Sequence, residues 1–218
     1  PWDHKTKETN VIYMIRDYLW DKLNSLTFKP SLIHRIDRDT SGILLIAKEK
    51  GILVKLVEDF KYHDKVTKTY YAIVRGKLEK KSWTIDKKLK RIENAKNENK
   101  VQVSNDGQTA ITNYKVIGEH KIQTSKWAEY ISELEVQILT WRMHQIRVHL
   151  ASLWHPIVWD NTYWDKAFNS YIKTQFGLDR QALHAWKIEF FHYNKNKKMN
   201  LEAKLKNDLI EFLEKIKG

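Results

Sequence analysis

Residues 34–47 read HRIDRDTSGILLIA, a dense charged segment followed at once by an apolar run. The charged part holds two carboxylates, two guanidinium groups and an imidazole within six residues, and Ile43–Ala47 predicts a short buried strand. An aspartate between two arginines, as Asp37 is, is expected to stay ionised at neutral pH, which suits a nucleophile or a base better than a proton donor. The alternative interpretation is a charged turn on the surface.

Hydrophobic periodicity outside this segment predicts a mixture of helices and strands. Helices are predicted over 9–23, 52–60, 144–153 and 209–216, and strands over 70–74, 101–103, 111–116 and 134–138. In the last strand apolar residues alternate with Glu133, Glu135 and Gln137, which is typical of a half-buried strand. Residues 79–109 are rich in Lys, Asn and Glu, which predicts a solvated loop with short strand pieces.

The order of these elements predicts the fold class. Because helices and strands do not alternate as long regular units, the pattern favours an α+β fold with a mixed, largely antiparallel β-sheet and flanking helices. No internal repeat or Pro/Gly-rich linker is visible, so residues 1–218 are interpreted as one catalytic-size domain.

Charge and composition narrow the classes of function. The 218 residues hold 39 Lys and Arg against 27 Asp and Glu, and the formal net charge of +12 favours an anionic partner such as nucleic acid over simple solubility. The absence of Cys excludes disulfides, thiolate metal sites and Cys nucleophiles. No stretch approaches the ~18 apolar residues of a membrane helix, and no signal peptide opens the chain. A soluble, cytoplasmic protein is therefore expected.

A second basic segment, Thr140–His149, holds two arginines and two histidines. On a helix, Arg147 lies one turn from Met143 and His144. His144 and His149 are five residues apart, which does not match the i, i+4 pair of a helical zinc site, so no metal is expected. The alternative interpretation is a basic helix with a solvated face.

The numbers of tryptophans and glycines look exchanged. The chain has 9 Trp and 7 Gly, whereas average usage predicts roughly 15 Gly in a chain of this length. Many of the tryptophans stand beside turn-forming residues, where glycine is expected. Three interpretations are open: a surface that stacks bases, ordinary core tryptophans, or UGA codons that mean glycine but were translated as tryptophan.

Five sequence elements stand in a fixed order between about residues 31 and 192. They are His34–Gly42 (HRIDRDTSG), Lys68–Ala72 (KTYYA), Thr140–His149 (TWRMHQIRVH), Trp154–Asp160 (WHPIVWD) with Tyr163–Trp164, and Gln181–Ala185 (QALHA). Together they resemble the RluA family of pseudouridine synthases, whose signature H-R-L-D-x-x-T-S-G the first element matches with Ile36 in place of Leu. The resemblance implies the pseudouridine synthase catalytic fold and the isomerisation of uridine in RNA to pseudouridine without a cofactor.

The resemblance assigns site residues by motif. Asp37 would be the catalytic carboxylate, whether it attacks the sugar C1′, adds to the base or removes a proton. Arg147 would pair with Asp37, and Tyr70 would pack on the target base and help to move protons. Arg35 would fill the space that the flipped base leaves. The other implied substrate-binding residues are Lys68, Leu183, Arg142 and His144.

The resemblance also implies which RNA is the substrate and how much of the family's catalytic domain the chain contains. Large-subunit, 23S-type ribosomal RNA is the favoured substrate, transfer RNA is the alternative, and a monomer is expected. The family's first strand, K-P-x-G-x-x-x-H, would precede Pro1, so the chain is interpreted as truncated and as lacking any N-terminal RNA-binding domain. Two other functions stay open: a catalytically inactive RNA-binding relative, and a glycosidic-bond hydrolase that needs a second carboxylate, for which Asp39 is the near candidate.

The family has glycine at four tryptophan positions, namely Trp141, Trp154, Trp159 and Trp164. Glycine permits positive φ and close backbone approach, and an indole side chain opposes both. We therefore hypothesise that these four are misread glycine codons, as are Trp2, Trp20, Trp83 and Trp127. Trp186, which follows the L-H-A element, is interpreted as a true tryptophan.

Overall fold

The computed structural model describes residues 11–19, 27–62, 65–92, 100–123, 128–163 and 166–217. Trp2, Trp20, Trp127, Trp164 and both ends of the predicted helix 9–23 lie outside these residues. The backbone forms two compact units, one of Pro1–Ile36, Leu44–Val66 and Phe190–Met199, the other of Asp37–Ile43, Thr67–Glu189 and Asn200–Gly218. No helix in the described part of the chain is long and apolar enough to cross a bilayer.

The described elements follow one another as helices α1 to α5 and strands β1 to β11. In chain order they are α1 (Val11–Leu19), β1 (Ser31–Leu32), β2 (Ser41–Gly42), β3 (Ile46–Ala47), α2 (Lys50–Asp59), β4 (Thr67–Arg75), β5 (Ser82–Asp86), β6 (Leu89–Ile92), β7 (Lys100–Val103), β8 (Ile111–Gln123), β9 (Ala128–Ile138), α3 (Gln145–Ala151), α4 (Lys166–Phe176), β10 (Leu183–His192), β11 (Lys197–Glu202) and α5 (Asn207–Lys217).

The largest sheet has the order β11-β10-β4-β9-β8-β5, and β2 pairs with β10 outside this path. The pairs β10–β4, β4–β9, β9–β8 and β8–β5 are antiparallel, while β2 lies parallel to β10. Two small antiparallel sheets consist of β1–β3 and β6–β7. The predicted α+β fold with a mixed, largely antiparallel sheet is therefore confirmed.

Strands β4 and β9 form the core of the large sheet for different reasons. Tyr70–Val74 of β4 are buried on both faces of the sheet, which fits a central strand made of apolar and aromatic residues. In β9 the buried Leu134 and Val136 alternate with the half-buried Glu135 and Gln137, as the sequence predicted.

Helix α5 packs on α4 and β8 through an apolar stripe that includes Leu209, Phe212 and Ile216. Asp208 lies in its first turn and Lys217 in its last, so both charges complement the helix dipole. The predicted helix over 209–216 is confirmed.

In the first unit, His34 contacts residues that flank β3 and α2. The Nε2 atom of His34 accepts a hydrogen bond from the backbone N–H of Leu45 at 3.1 Å, and its ring stacks on Phe60 at 5.1 Å. His34 therefore has a structural role at the start of the charged segment.

Some predictions of local structure are corrected. Of Ile43–Ala47, only Ile46–Ala47 is a strand, because Ser41–Gly42 takes the position beside β10 and Ile43 donates to the carbonyl of Ala185. In contrast, the short strands β5, β6 and β7 in the region 79–109 agree with the short strand pieces predicted there. Helix α4 and strand β10 were not predicted. The helix predicted over 144–153 is present as α3, but the solvated-face alternative is wrong, because residues 145–150 are all buried.

Candidate active site

The loop that carries Asp37 is fastened through the Thr-Ser-Gly part of its motif. The backbone N–H of Thr40 donates to the carbonyl of Asp37 at 3.1 Å, which forms a turn. The Nε2 of Gln181 donates to the Thr40 hydroxyl at 2.6 Å, and the Ser41 hydroxyl lies 2.8 Å from Nδ1 of His184. These contacts fix the loop against the segment that begins β10.

Gly42 is required where this loop meets β10. Its φ is +105°, and a Cβ atom at this position would lie 2.2 Å from the carbonyl oxygen of Ala185. Only glycine combines that backbone conformation with such close approach.

Helix α3 presents Arg147, and the loop before it is held by Gln145. The Oε1 of Gln145 accepts hydrogen bonds from the Thr140 hydroxyl at 2.8 Å and from the backbone N–H of Arg142 at 3.0 Å. The Nε2 of Gln145 donates to the carbonyl of Ile111 on β8 at 2.9 Å. The orientation of α3 is thereby tied to the sheet.

Asp37 and Arg147 form an ion pair. The Nη1 of Arg147 donates to Oδ2 of Asp37 at 3.1 Å, and Nε2 of His144 lies 4.0 Å from the same oxygen. The Asp37 side chain is 20% exposed and that of Arg147 is 8% exposed. The second oxygen of Asp37, Oδ1, accepts no hydrogen bond from any described residue. Within the described part of the chain, Asp37 is therefore held at one oxygen only.

The neighbouring Arg38 pairs with a different carboxylate. Its guanidinium donates to the Asp39 carboxylate at 3.0 and 3.1 Å, and both side chains are exposed. The surface-turn interpretation thus describes Arg38 and Asp39 correctly and is wrong for the partly buried Asp37.

Arg147 has a second and closer carboxylate partner, Asp160. Its Nε donates to Oδ2 of Asp160 at 2.7 Å, and its Nη2 donates to Oδ1 of Asp160 and to the Thr162 hydroxyl, both at 2.9 Å. Burial alone would lower the pKa of Arg147, but the hydrogen bonds and charges of Asp160 and Asp37 outweigh burial and raise it. The guanidinium is permanently charged.

Tyr163 connects Arg147, His144 and strand β7. The Tyr163 hydroxyl accepts a hydrogen bond from the N–H of Val101 at 2.9 Å and lies 2.8 Å from Nδ1 of His144. The Arg147 guanidinium lies 5.1 Å from the Tyr163 ring centre, within range of a cation–π contact. Burial raises the pKa of Tyr163 to about 12, so its phenol is neutral at physiological pH.

Strands β4 and β10 bring Tyr70, Lys68 and Leu183 to one face of the sheet. Lys68, Tyr70 and Ala72 are every second residue of β4, so their side chains lie on the same face of the sheet. Leu183 of β10 pairs with Ala72 and lies on that face too. Burial raises the pKa of the Tyr70 phenol, and the negative charge of Asp37 raises it further. The Nζ atom of Lys68 lies 5.7 Å from the Tyr70 ring centre, and burial lowers the pKa of Lys68 to about 8.

Arg35 and Arg142 occupy other positions. Arg35 is exposed and belongs to the first unit. The Nε of Arg142 donates to the carbonyl of Thr109 at 3.0 Å. Arg142 also lines an open cleft of about 450 Å³ together with Lys90 and Arg91. No group of three metal-binding side chains occurs among the described residues.

The geometry can be compared with known proteins. The model of the RNA pseudouridylate synthase family matches residues 9–152, more than half of the chain and a range that includes Asp37, Tyr70 and Arg147. This chain belongs to that family. The resemblance that the motifs indicated is thereby confirmed.

Curated relatives of the chain are longer than it is. Ribosomal large subunit pseudouridine synthase C of Vibrio cholerae is 38% identical over 188 residues, which cover 85% of this chain and 55% of that protein. The protein of the same name from Buchnera aphidicola is 37% identical over 174 residues, which cover 80% and 52%. The chain spans about half the length of the curated relatives it matches.

Solved structures agree in fold. Human RNA pseudouridylate synthase domain containing 1 is 23% identical with a TM-score of 0.71, covering 88% of this chain and 74% of that one. Human RNA pseudouridylate synthase domain containing 4 is 21% identical with a TM-score of 0.71, covering 96% and 83%. Both support the pseudouridine synthase fold.

Sequence reasoning gave no role to Asp160, Thr162 or Tyr163. The signal was present, because Asp160 and Tyr163 stand inside the fourth motif element. Their role depends on contacts with Arg147 and His144, which no spacing rule reveals.

Proposed function

We propose that this chain is the catalytic domain of an RNA pseudouridine synthase that acts on large-subunit ribosomal RNA, with Asp37 as the catalytic carboxylate. The Asp37–Arg147 pair carries the proposal: one carboxylate oxygen is held by a permanent cation at 3.1 Å, and the other accepts no hydrogen bond from a described residue. Such a carboxylate is acceptor-only, oriented and available to a substrate.

The reaction needs no oxidant or reductant. The N1–C1′ bond of uridine breaks, a C5–C1′ bond forms, C5 loses a proton and N1 gains one, so the atoms balance within one nucleotide and solvent. A single ionised carboxylate suits each route open to it: attack on C1′, addition to the base, or removal of the proton. The raised pKa of Tyr70 suits a neutral phenol that packs on the base and donates a hydrogen bond rather than a phenolate base.

The other motif residues have supporting roles in this proposal. Leu183 forms an apolar wall on the Tyr70 face, and Lys68 and His144 supply positive charge or hydrogen bonds. Exposed Arg35 stacks in the space that the flipped uridine leaves, since reaching a base requires taking it out of the helix. The enzyme works as a cofactor-free, cytoplasmic monomer.

Ribosomal RNA is the proposed substrate because the curated relatives carry that substrate in their names. The net charge of +12 suits an RNA backbone, as do Arg91 and Arg142 at one cleft, where Lys90 is paired with Asp106. Such contacts position RNA and make its affinity fall steeply with salt, but they do not select the uridine.

The test measures tritium release from transcripts that carry tritium at uracil C5. With large-subunit ribosomal RNA, Asp37→Asn is expected to lower the release rate at least ~1000-fold while RNA affinity is unchanged. Asp39→Asn is the matched control, because Asp39 is two residues away, exposed and paired with Arg38. It is expected to keep the wild-type rate.

Other outcomes contradict parts of the proposal. Near-normal release by Asp37→Asn refutes the role of Asp37. RNA binding by the wild-type chain without any tritium release favours an inactive RNA-binding relative. Free uracil among the products favours a hydrolase, and release only from transfer RNA transcripts replaces the proposed substrate.

A further inference from the structure

We propose that Asp160 is a positioning residue for the reaction, one that aims Arg147 at Asp37. This inference rests on the proposed function. Its basis is an asymmetry between two carboxylates that share one guanidinium: Asp160 is 1% exposed and Asp37 is 20% exposed.

Asp160 is saturated with hydrogen bonds. Its Oδ2 accepts from Nε of Arg147, and its Oδ1 accepts from Nη2 of Arg147 and from the backbone N–H groups of Thr162 and Tyr163 at 2.9 and 3.2 Å. A buried carboxylate is tolerated only when its oxygens are satisfied in this way. With both oxygens engaged and only 1% of the side chain exposed, Asp160 is not accessible to a substrate.

The sheet fixes Asp160 in place. The N–H of Val158 donates to the carbonyl of Ile73 in β4, and the N–H of Asp160 donates to the carbonyl of Ile157, both within 3.1 Å. The turn that carries Asp160 is thereby attached to the central strand that also carries Tyr70.

Because the guanidinium is planar, a contact that fixes one edge of it also fixes the direction of its remaining nitrogen. Asp160 binds the Nε–Nη2 edge of Arg147, and a bidentate contact fixes both the plane and the rotation of the group. The remaining nitrogen, Nη1, then points at Oδ2 of Asp37. Asp160 thus acts through Arg147 and does not touch the reacting atoms.

Asp160→Asn tests this role. The amide can still accept from the Thr162 and Tyr163 N–H groups, but its NH₂ group faces an Arg147 nitrogen that also donates, so the guanidinium must turn away. We expect kcat for tritium release to fall at least ~10-fold while KM for RNA stays within about twofold. Glu129→Gln is the matched control, because Nε and Nη2 of another arginine, Arg75, lie 2.8 and 2.7 Å from Oε2 of Glu129, and no contact of this pair with the loop of Asp37 occurs among the described residues. It is expected to keep the wild-type kcat.

A double-mutant cycle separates positioning from general structural support. In an Arg147→Ala background, Asp160→Asn should lower kcat no further, because the group it aims is already gone. Losses that multiply would overturn the proposal, as would an unchanged kcat in Asp160→Asn alone. A wild-type chain without turnover would instead count against the proposed function.

Thr162→Val covers the case in which Asp160→Asn does not fold. This variant removes the hydroxyl that accepts from Nη2 of Arg147 and keeps nearly the same side-chain volume. A several-fold fall in kcat at constant KM supports the positioning role, and an unchanged kcat contradicts it.

A different observation carries a second inference: we infer that residues 154 and 159 are glycine in the native protein. Trp154 has φ +65° and Trp159 has φ +64°, the left-handed region that bulky side chains avoid. Trp154 is 80% exposed, and the buried Nε1 of Trp159 has no hydrogen-bond partner among the described residues. The indole of Trp154 therefore gains little from burial, and the Trp159 ring gains only a distant contact with Nζ of Lys173 at 6.0 Å.

The same backbone argument does not extend to three other tryptophans. Trp83, Trp141 and Trp186 have no positive φ, and Nε1 of Trp186 donates to Glu202 at 3.0 Å. The inference is restricted to the two positions that the backbone singles out.

The gene and the native protein test it directly. We expect UGA codons at positions 154 and 159, and a native peptide across 148–166 whose mass fits glycine at both. UGG codons, or a peptide mass that fits tryptophan, would overturn the inference. With the chain as printed, Trp154→Gly should raise the Tm, whereas the control Trp83→Gly, in strand β5, should lower it.

Discussion

Two acidic clusters lie on opposite faces of the central sheet, beside adjacent tyrosines of β4. On the Tyr70 face, Asp37 meets Arg147 and His144. On the Tyr71 face, Glu133 accepts hydrogen bonds from Tyr71 and His120. Each cluster contains a carboxylate, a tyrosine, a histidine and a cation.

The two clusters differ in how many carboxylate oxygens accept hydrogen bonds and in how exposed the carboxylate is. Both oxygens of Glu133 are engaged, and Lys217 at the end of α5 adds an ion pair at 3.5 Å. Asp37 has one held oxygen, and its side chain is more exposed than that of Glu133, 20% against 11%. The comparison shows that residue types alone do not distinguish the two carboxylates, which differ in their hydrogen bonds to the described residues and in their exposure.

The largest effects are expected from two variants, one in each cluster, of which one should change turnover and the other stability. Asp37→Asn should lower turnover at least ~1000-fold and leave the free energy of unfolding nearly unchanged. Glu133→Gln should lower the free energy of unfolding by about 2 kcal/mol and leave the kcat of the folded fraction unchanged. Urea unfolding and tritium release, measured on both, check this. A loss of kcat in Glu133→Gln comparable with that in Asp37→Asn would remove the distinction between the clusters.

The next effect concerns a glycine beside each cluster. In Gly42→Ala the new Cβ meets backbone atoms of Ala185 at 2.2 to 2.8 Å in a left-handed conformation, and we expect a loss of about 3 kcal/mol together with lower kcat. In Gly118→Ala the Cβ meets the Glu133 carboxylate at 2.7 Å, and we expect a loss of about 1 kcal/mol with kcat unchanged. Gly51→Ala, where nothing lies within 4 Å, is the control and should be neutral or stabilising. Equal kcat in Gly42→Ala and wild type would contradict the link between this loop and the site.

Lys68 should give a smaller effect that depends on pH. Burial lowers its pKa from 10.5 to about 8, so between these values the unfolded chain holds a proton that the folded chain does not. The free energy of unfolding should therefore rise between pH 8 and 10.5, by about 3 kcal/mol, and be lower below that window. Lys68→Met should flatten this rise, while Lys77→Met, which replaces an exposed lysine, should keep it. Parallel slopes in wild type and Lys68→Met would show that burial of Lys68 has no such cost.

The smallest effect is expected at acid pH, because Glu133 is one of 27 acidic residues. Burial raises the pKa of Glu133, but hydrogen bonds from Tyr71 and His120 outweigh it and lower the pKa below 4.5. The stabilisation is fully present above 4.5 and is lost as the pH falls through the folded-state pKa. Acid unfolding of Glu133→Gln should lack this component, and an unchanged acid slope would contradict it.

The sequence could predict those features that short, contiguous stretches of residues encode. Asp37 and Arg147 each stand in a motif of consecutive residues, so the sequence predicts both as site residues. That they pair across 110 positions followed only from the family resemblance. The strand over 134–138 was predictable because its alternation is local.

The remainder depends on contacts between distant elements. Alternation in β9 predicts a polar face for Glu133, yet Glu133 is buried because Tyr71, His120 and Lys217 cover it from three other elements. Strand β10 lacks simple alternation because its first residues, Leu183–Ala185, are buried in succession between β4 and β2. Asp160 stands inside a sequence motif, but its position on the Nε–Nη2 edge of Arg147 depends on the folded structure.

The parallel pairing of β2 with β10 has a consequence for synthesis of the chain. Ser41 and His184, which fasten the aspartate loop, are 143 positions apart. Contacts of such separation form late, after local helices and hairpins. A nascent chain must therefore leave the ribosome past Ala185 before its aspartate loop can dock against β10.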